Sequence, residues 1–523
     1  MSRRKKNQIL TNILIEDVAA EGKAIGHVDG KVIFVPQVIP GDVCDVLVTR
    51  KKSGYIEGRY VKLVKKSPDR LEPFCEHYGL CGGCTWQPLP YELQLKYKQK
   101  QVKDQLTRIG NLELPEIQPI IGSEKTTEYR NKLEFTFSDR RWIIANEDAE
   151  KIFSSPIPLN PANFPNGQFP RHLRNGFSSV NTNSEGYALG FHLGGFFDKV
   201  LDIKNCYLQS EPSNLIRNFI KLYAINHNIQ FFNLREQEGC LRNVIIRNNL
   251  KGDVMLTLSV KIPGIDKFSE PKTLGDPNEI LNNNTLILEN KISCLLNKLI
   301  EEFPAIKSLN YVINNKGNDS IADLNVINYS GEDAIYEEME GISFKIGPKS
   351  FYQTNSAQAY KLYSLVREFA DLKGDERIFD LYTGTGTIAL FLASQAKEIY
   401  GIEYIQEAIN DAKVNAKNNH ITNCEFFAGD MKDVLNDDFI QKHGGTPNVI
   451  ILDPPRAGIY PDVLEVILNA EAEKIVYVSC NPATQARDLS KLSKKYEITA
   501  VRPVDMFPHT HHVENVCALR IKK

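Results

Sequence analysis

The chain has 523 residues, 42% of them apolar and 24% charged, with a net charge of −2. That length exceeds one ordinary core and implies two to four domains, and the composition is globular rather than disordered. No run of about 18 apolar residues occurs, which weighs against a membrane span, and the basic start Met1-Ser2-Arg3-Arg4-Lys5-Lys6 lacks the apolar stretch of a signal peptide, so a cytoplasmic protein is expected.

The charge is uneven. Residues Met1 to Arg70 hold 14 Lys and Arg against 8 Asp and Glu, which fits a polyanionic partner and equally a solvated surface. From Gln8 to Val64, short apolar runs (Ala24–Val28, Val32–Pro36, Asp45–Val48) are separated by turns such as Asp29-Gly30, predicting an OB-like β-barrel over residues 1–66. Three of the ten cysteines follow at Cys75, Cys81 and Cys84. In a protein without a secreted disulfide framework, such a cluster points to a metal or cluster site. Tyr91 to Ile109 has helical periodicity and ends at Gly110. Residues 67–340 read as a central α+β domain. In it Val244–Ile246 and Val254–Leu258 are adjacent strands across Lys251-Gly252-Asp253, and Asn282–Asn284 and Asn314-Asn315 are loops.

Residues 341–523 alternate strands and helices. Arg377–Asp380, Ile399–Glu403, Cys424–Phe427, Val449–Asp453 and Lys474–Val478 predict a doubly wound, Rossmann-like α/β domain with ligands at the carboxyl ends of its strands. Asp380 ends the first of these strands, and Gly384 and Gly386 let the backbone approach a ligand before a helix begins. Glu403 ends the next strand, where a carboxylate suits two ribose hydroxyls, and Asp430 is placed to reach an adenine ring. The alternative is that both only cap strand ends. There is no G-x-G-x-x-G and no Walker lysine, which disfavours a dinucleotide or ATP. The expected cofactor is S-adenosylmethionine.

Val478-Ser479-Cys480-Asn481-Pro482 puts a thiol at the fifth strand end, and Glu514 lies downstream in His511-His512-Val513-Glu514. That pair suits methylation of a weakly nucleophilic carbon such as C5 of a pyrimidine. A thiolate adds to C6, C5 takes the methyl group, and a base removes the C5 proton so that the thiol leaves. Glu514 is the expected base, with His511 and His512 as rivals; a buried, inert thiol is the alternative for Cys480. At the fourth strand end, Asp453-Pro454-Pro455-Arg456 carries arginine where exocyclic-amine methylases carry an aromatic residue. This favours positioning of phosphate or substrate by Arg456, while Asp453 suits the uracil N3–H or the cofactor.

On these residues the chain resembles the RNA 5-methyluridine methyltransferase family, and most closely its members acting on large-subunit (23S) ribosomal RNA. The segments Gly347–Asn355, Asp453–Arg456, Ser479–Thr484 and Asp505–Glu514 are similar to the family's signature segments. The resemblance implies Cys480 as nucleophile and Glu514 as base, with Gln353, Tyr382, Gly384, Thr387, Glu403, Asp430 and Asp453 around the cofactor. Residues Gln8 to Val64 resemble a TRAM domain, an RNA-binding barrel. Cys75, Cys81 and Cys84, with distant Cys206, resemble the family's [4Fe–4S] ligand set; four thiolates also suit structural zinc. The implied partner is RNA, ribosomal rather than transfer, and a monomer suffices. Tyr129–Lys132 and Gly239–Arg242 are recognisable too, with Arg130, Lys132 and Arg242 facing phosphate or solvent. Three rivals remain. A radical S-adenosylmethionine enzyme would use Cys-x3-Cys-x2-Cys, whereas the spacing here is Cys-x5-Cys-x2-Cys. A non-catalytic RNA-binding protein and a cytosine-5 methylase are the others.

Overall fold

The strand-and-turn rhythm of the first 65 residues closes on itself. In the computed structural model, which describes residues 8–142, 186–265, 267–268 and 284–523, five strands form a closed barrel. They are β1 (Ile9–Val18), β2 (Ala24–Val28), β3 (Lys31–Val35), β4 (Val43–Lys51) and β5 (Tyr55–Lys65), in the order β1-β2-β3-β5-β4 with β4 returning to β1. Alternate residues point inward, so Ile13, Ile15, Ile33, Val35 and Val46 fill the barrel. Part of the basic excess falls on β4 and β5, where Arg50, Lys51, Arg59, Lys62 and Lys65 are exposed.

The central sheet has seven strands in the order β12-β11-β10-β9-β6-β7-β8. These are β6 (Lys132–Ser138), β7 (Ala188–His192), β8 (Val200–Asp202), β9 (Leu241–Asn248), β10 (Val254–Val260), β11 (Ile306–Ile313) and β12 (Val326–Gly331). The expected pairing across Lys251–Asp253 is β9 against β10, antiparallel with Val254 opposite Asn248. Within the stretch 262–310, residues 266 and 269–283 lie outside the described residues, as does Met1–Lys6. Asn284, expected in a loop, instead opens the helix Asn284–Glu302, whose Ile292, Leu295, Leu296 and Leu299 pack into the central core.

A hairpin, β13 (Ile335–Met339) and β14 (Ile342–Ile346), leads into the last sheet. Its order is β17-β16-β15-β18-β19-β21-β20, from β15 (Arg377–Leu381), β16 (Glu398–Glu403), β17 (Cys424–Ala428), β18 (Val449–Leu452), β19 (Lys474–Ser479), β20 (Tyr496–Val504) and β21 (Glu514–Ile521). The first five strands in that order are parallel, and β21 enters antiparallel between β19 and β20. A parallel sheet is covered on both faces. One face carries the helix Ser356–Ala370 and the β13–β14 hairpin, through Leu362, Val366, Ile335 and Phe344. The other carries the helices Pro461–Ala470 and Pro482–Leu492 and also the helix Tyr91–Arg108, through Val102 and Leu106. The helix expected from Tyr91 to Ile109 thus packs on the C-terminal sheet. No helix among the described residues is long and apolar enough to cross a membrane.

Candidate active site

Register puts the candidate residues in one place. Leu381 of β15 lies opposite both Ile402 and Leu452, so Tyr382, Glu403 and Asp453 come next at the carboxyl edge. Ser479 of β19 pairs with Asn515 of β21, so Cys480 and Glu514 are the next step of an antiparallel ladder. All the cofactor, substrate and catalytic candidates, from Gln353 to Glu514, line a single cleft of about 1320 Å³ at that edge.

The cofactor half is built from turns. Tyr382 has a positive φ of 64°, and its hydroxyl is buried without a hydrogen-bond partner among the described residues. Gly384 follows at φ 57°, and a Cβ there would meet nothing within 4 Å, so the backbone is bare toward the cleft. Its N–H donates to Glu403 Oε2 at 3.2 Å, and Ile405 N–H donates to Glu403 Oε1 at 3.1 Å. Asp430 accepts from Lys432 N–H at 3.2 Å and caps a short helix. Both carboxylates therefore do the strand-end capping weighed for them, and both also face the cleft with hydrogen-bonding capacity to spare. Thr387 shares a 3.3 Å hydrogen bond with the Tyr363 hydroxyl. Gln353 is fixed through its carbonyl, which accepts from Asn131 Nδ2 at 2.9 Å.

The catalytic half is more buried. Asn481 caps the helix after Cys480 by accepting from Ala483 N–H at 3.1 Å. Asn481 Nδ2 and Thr484 Oγ1 both donate to the Arg456 carbonyl, which ties the Asp453–Arg456 turn to the Cys480 turn. Arg456 is exposed, and its guanidinium has no hydrogen bond or ion pair among the described residues. Burial, then the Asp453 carboxylate, pushes Glu514 up to about 8. Burial alone raises Asp453 to about 7. Burial pushes the Cys480 thiol up to about 12, Glu514 and Asp453 add to it, and Arg456 opposes them. His511 and His512 are held down to about 4, chiefly by burial. Of the three rival bases, Glu514 alone has its proton affinity moved into the neutral range.

Sequence reasoning gave no site role to several residues that shape this cleft, Asp380 at the cofactor turn and Phe351 of the Gly347–Asn355 segment among them. Phe351 and Tyr404 are 68% and 73% exposed at its rim. Asp380 is buried beneath it, bonded by Thr383 Oγ1 at 2.5 Å and raised to about 7 chiefly by burial. Tyr129–Lys132 acquires a physical role. The Tyr129 hydroxyl donates to the Pro508 carbonyl at 3.1 Å, Asn131 binds the Gln353–Ser356 segment, and Arg130 lines the cleft. Arg242 faces neither phosphate nor solvent: it is 1% exposed and holds the loop carbonyls of Asn314 and Asn318 together with Asp319. These partners lie far away in sequence and leave no local signal.

The four expected metal ligands also converge. Burial raises the proton affinity of Cys75, Cys84 and Cys206, and each of these also feels other thiols of the set, Cys81 among them. Among the described residues, the trio of ligand-type atoms within 4.8 Å of one another is Cys75, Glu76 and His77, so no three of the four sulfurs stand that close. Gly82 and Gly83, between Cys81 and Cys84, reach the rim of the large cleft.

Two family models match the chain: the TRAM domain over residues 4–61 and tRNA (Uracil-5-)-methyltransferase over residues 331–522. Proteins carrying the name uncharacterized RNA methyltransferase resemble it from end to end. That of Bacteroides thetaiotaomicron is 52% identical over 97% of this chain and 100% of its own length, and that of Porphyromonas gingivalis 48% over 97% and 98%. A solved structure, the tRNA (uracil-54, C5)-methyltransferase of Pyrococcus abyssi with S-adenosyl-L-homocysteine, is 25% identical with a TM-score of 0.65, covering 97% of this chain and 99% of that one. The barrel, the strand order and these similarities agree that the chain belongs to the S-adenosylmethionine-dependent RNA methyltransferases of the uracil-5 family, with a TRAM domain ahead of the catalytic fold.

Proposed function

We propose that the protein methylates C5 of a uridine in ribosomal RNA through a covalent intermediate, with Cys480 as nucleophile and Glu514 as base. The observation that carries this reading is that Cys480 and Glu514, the residues next beyond the ladder pair Ser479–Asn515, lie in a cleft that also holds Glu403, Asp430 and Tyr382. The bare Gly384 backbone and the unpartnered Tyr382 hydroxyl fit a nucleoside bound there, and S-adenosylmethionine would supply an electrophilic methyl group. A uridine flipped out of its stack enters the other half of the cleft. The Cys480 sulfur bonds to C6, and C5 takes the methyl. Glu514 accepts the C5 proton, the C6–S bond breaks, and the thiolate is regenerated. Arg456 holds the thiolate and the RNA backbone by its charge.

Ribosomal RNA is favoured because the TRAM barrel followed by a four-cysteine site resembles the ribosomal members. The solved relative is named for transfer RNA, which makes that the second reading. Nucleoside mass spectrometry of a deletion strain, with ribosomal and transfer RNA kept apart, decides: 5-methyluridine should vanish from the ribosomal fraction. Cys480→Ala should fail to restore it, and Glu514→Gln should accumulate an RNA–protein adduct. Loss from transfer RNA instead moves the substrate, and no loss from either overturns the uridine reading.

The four cysteines are proposed to hold a [4Fe–4S] cluster with a structural role. Four thiolates suit a [4Fe–4S] cluster and a structural zinc ion alike, and the likeness of Cys75, Cys81, Cys84 and Cys206 to the family's ligand set favours the cluster. Protein purified without oxygen should carry about four iron and four sulfide per chain and absorb visible light. One zinc and no sulfide would reverse the assignment.

A further inference from the structure

A second cleft of about 690 Å³ opens between the barrel and the catalytic core, and it meets the first at Arg456, Cys480 and His512. Its barrel wall carries Phe34 of β3 and Tyr55 of β5, edge to face with ring centroids 5.8 Å apart. Its opposite wall carries Gln101 and Gln105 of the helix Tyr91–Arg108, with His511. On that wall Gln101 Oε1, Gln105 Oε1 and His511 Nδ1 are buried and have no hydrogen-bond partner among the described residues. Leaving such groups unsatisfied is costly, so a protein that keeps three around one space is built to have them met there.

The charges tell what kind of group belongs in that space. Glu21 and Glu57 line it, against Lys23 and Arg456; Lys23 is already engaged with Glu57 at 3.8 Å. The sum is balanced, which suits a neutral ring better than a phosphate. The volume suits a small heterocycle. Two aromatic faces offer stacking, which every base accepts. The acceptors Glu21, Glu57 and the two glutamine oxygens face no cationic excess, so they favour a ring that brings amino hydrogens.

We infer that this cleft holds a second nucleobase of the same RNA, close in the chain to the residue at Cys480, and that it selects adenine, cytosine or guanine over uracil. The base stacks on one of the two rings, meets the edge of the other, and donates its amino hydrogens to Gln101, Gln105 and Glu21. The inference rests on the RNA-methylation reading and adds to it a determinant of sequence context supplied by the barrel. It also explains why the barrel sits where it does. Gly22, at φ 78° in the β1–β2 turn, lies so close to His511 that a Cβ would stand 2.8 Å from the histidine Cβ.

The test is ultraviolet crosslinking of the full-length protein to RNA from a deletion strain, read by mass spectrometry of the peptides containing Phe34 or Tyr55, together with kinetics on the same RNA. Those peptides should carry an adenosine, cytidine or guanosine adduct. Tyr55→Ala and Gln105→Leu should each raise KM for RNA about tenfold with KM for S-adenosylmethionine unchanged, and Tyr55→Phe should restore the wild-type value. A uridine adduct, no adduct on these peptides while others crosslink, or an unchanged RNA KM in both variants would overturn the inference. The two readings fail separately: 5-methyluridine formation tests the reaction, whereas the crosslink requires no turnover.

Discussion

At the residue scale the unusual feature is that the thiol proposed as the nucleophile is held in its unreactive form. The Cys480 thiol at about 12 stays protonated at neutral pH because it is buried and faces two carboxyl groups, with Arg456 as its counterweight. Only the thiolate attacks, so whatever removes negative charge nearby should raise its reactivity. Glu514→Gln removes one carboxylate and should speed alkylation of Cys480 by iodoacetamide several-fold at pH 8, measured on its tryptic peptide, even though it should stop turnover. Arg456→Ala should slow the same alkylation. Equal rates in all three proteins would mean that the local charges do not govern the thiol. Cys480 was legible as a candidate because a cysteine after a buried strand is a local fact, whereas Glu514, 34 residues on, was legible from the chemistry's need for a base and from the family resemblance. That the two lie next beyond one ladder pair was not, since β21 enters antiparallel and no short-range pattern announces it.

At the element scale the helix Tyr91–Arg108 shows where reading by periodicity stops. Its buried positions Gln94, Lys98, Val102 and Leu106 recur every fourth residue, but the first two are polar. The periodicity predicts the helix without saying which core receives it, because the partners lie about 400 residues away. Lys98 Nζ donates to Asp505 Oδ1 at 2.6 Å and to the Phe507 carbonyl at 3.0 Å, with both side chains of the ion pair fully buried. The Tyr91 hydroxyl donates to Asp505 Oδ2 at 2.9 Å, and Gln94 Oε1 accepts from His509 N–H at 2.8 Å. The helix thus clamps the segment that delivers Glu514. Lys98→Met would strand Asp505 in the core at a cost of ~3–5 kcal/mol. The variant should melt well below the wild type and exchange amide hydrogens faster over residues 505–514. A variant with wild-type melting and exchange would show that the clamp is dispensable.

At the scale of the whole molecule, three parts converge on the segment before Glu514. Thr85 and Trp86 of the cysteine loop both donate backbone N–H groups to the His509 carbonyl, at 2.8 and 2.9 Å, and Trp86 Nε1 donates to the Gly22 carbonyl of the barrel at 3.1 Å. Loop, barrel and catalytic sheet are therefore joined where RNA is expected to enter. The same convergence buries carboxyl groups around one cleft: Asp380 and Asp453 at about 7 and Glu514 at about 8. The sign of the consequence follows from proton counting. Above about pH 4.5 the unfolded chain has released these protons while the folded chain still holds them, so the folded state binds more protons and its stability falls as the pH rises toward 8. The melting temperature, measured without cofactor or RNA, should therefore decline from pH 5 to pH 8. Glu514→Gln should flatten the decline and stabilise the protein by on the order of 4 kcal/mol at pH 8, with little gain at pH 5, where the wild-type carboxyl is already neutral. Parallel melting curves for variant and wild type across that range would mean that Glu514 ionises as freely in the cleft as in water, and the account of it as a base poised near neutrality would have to be given up.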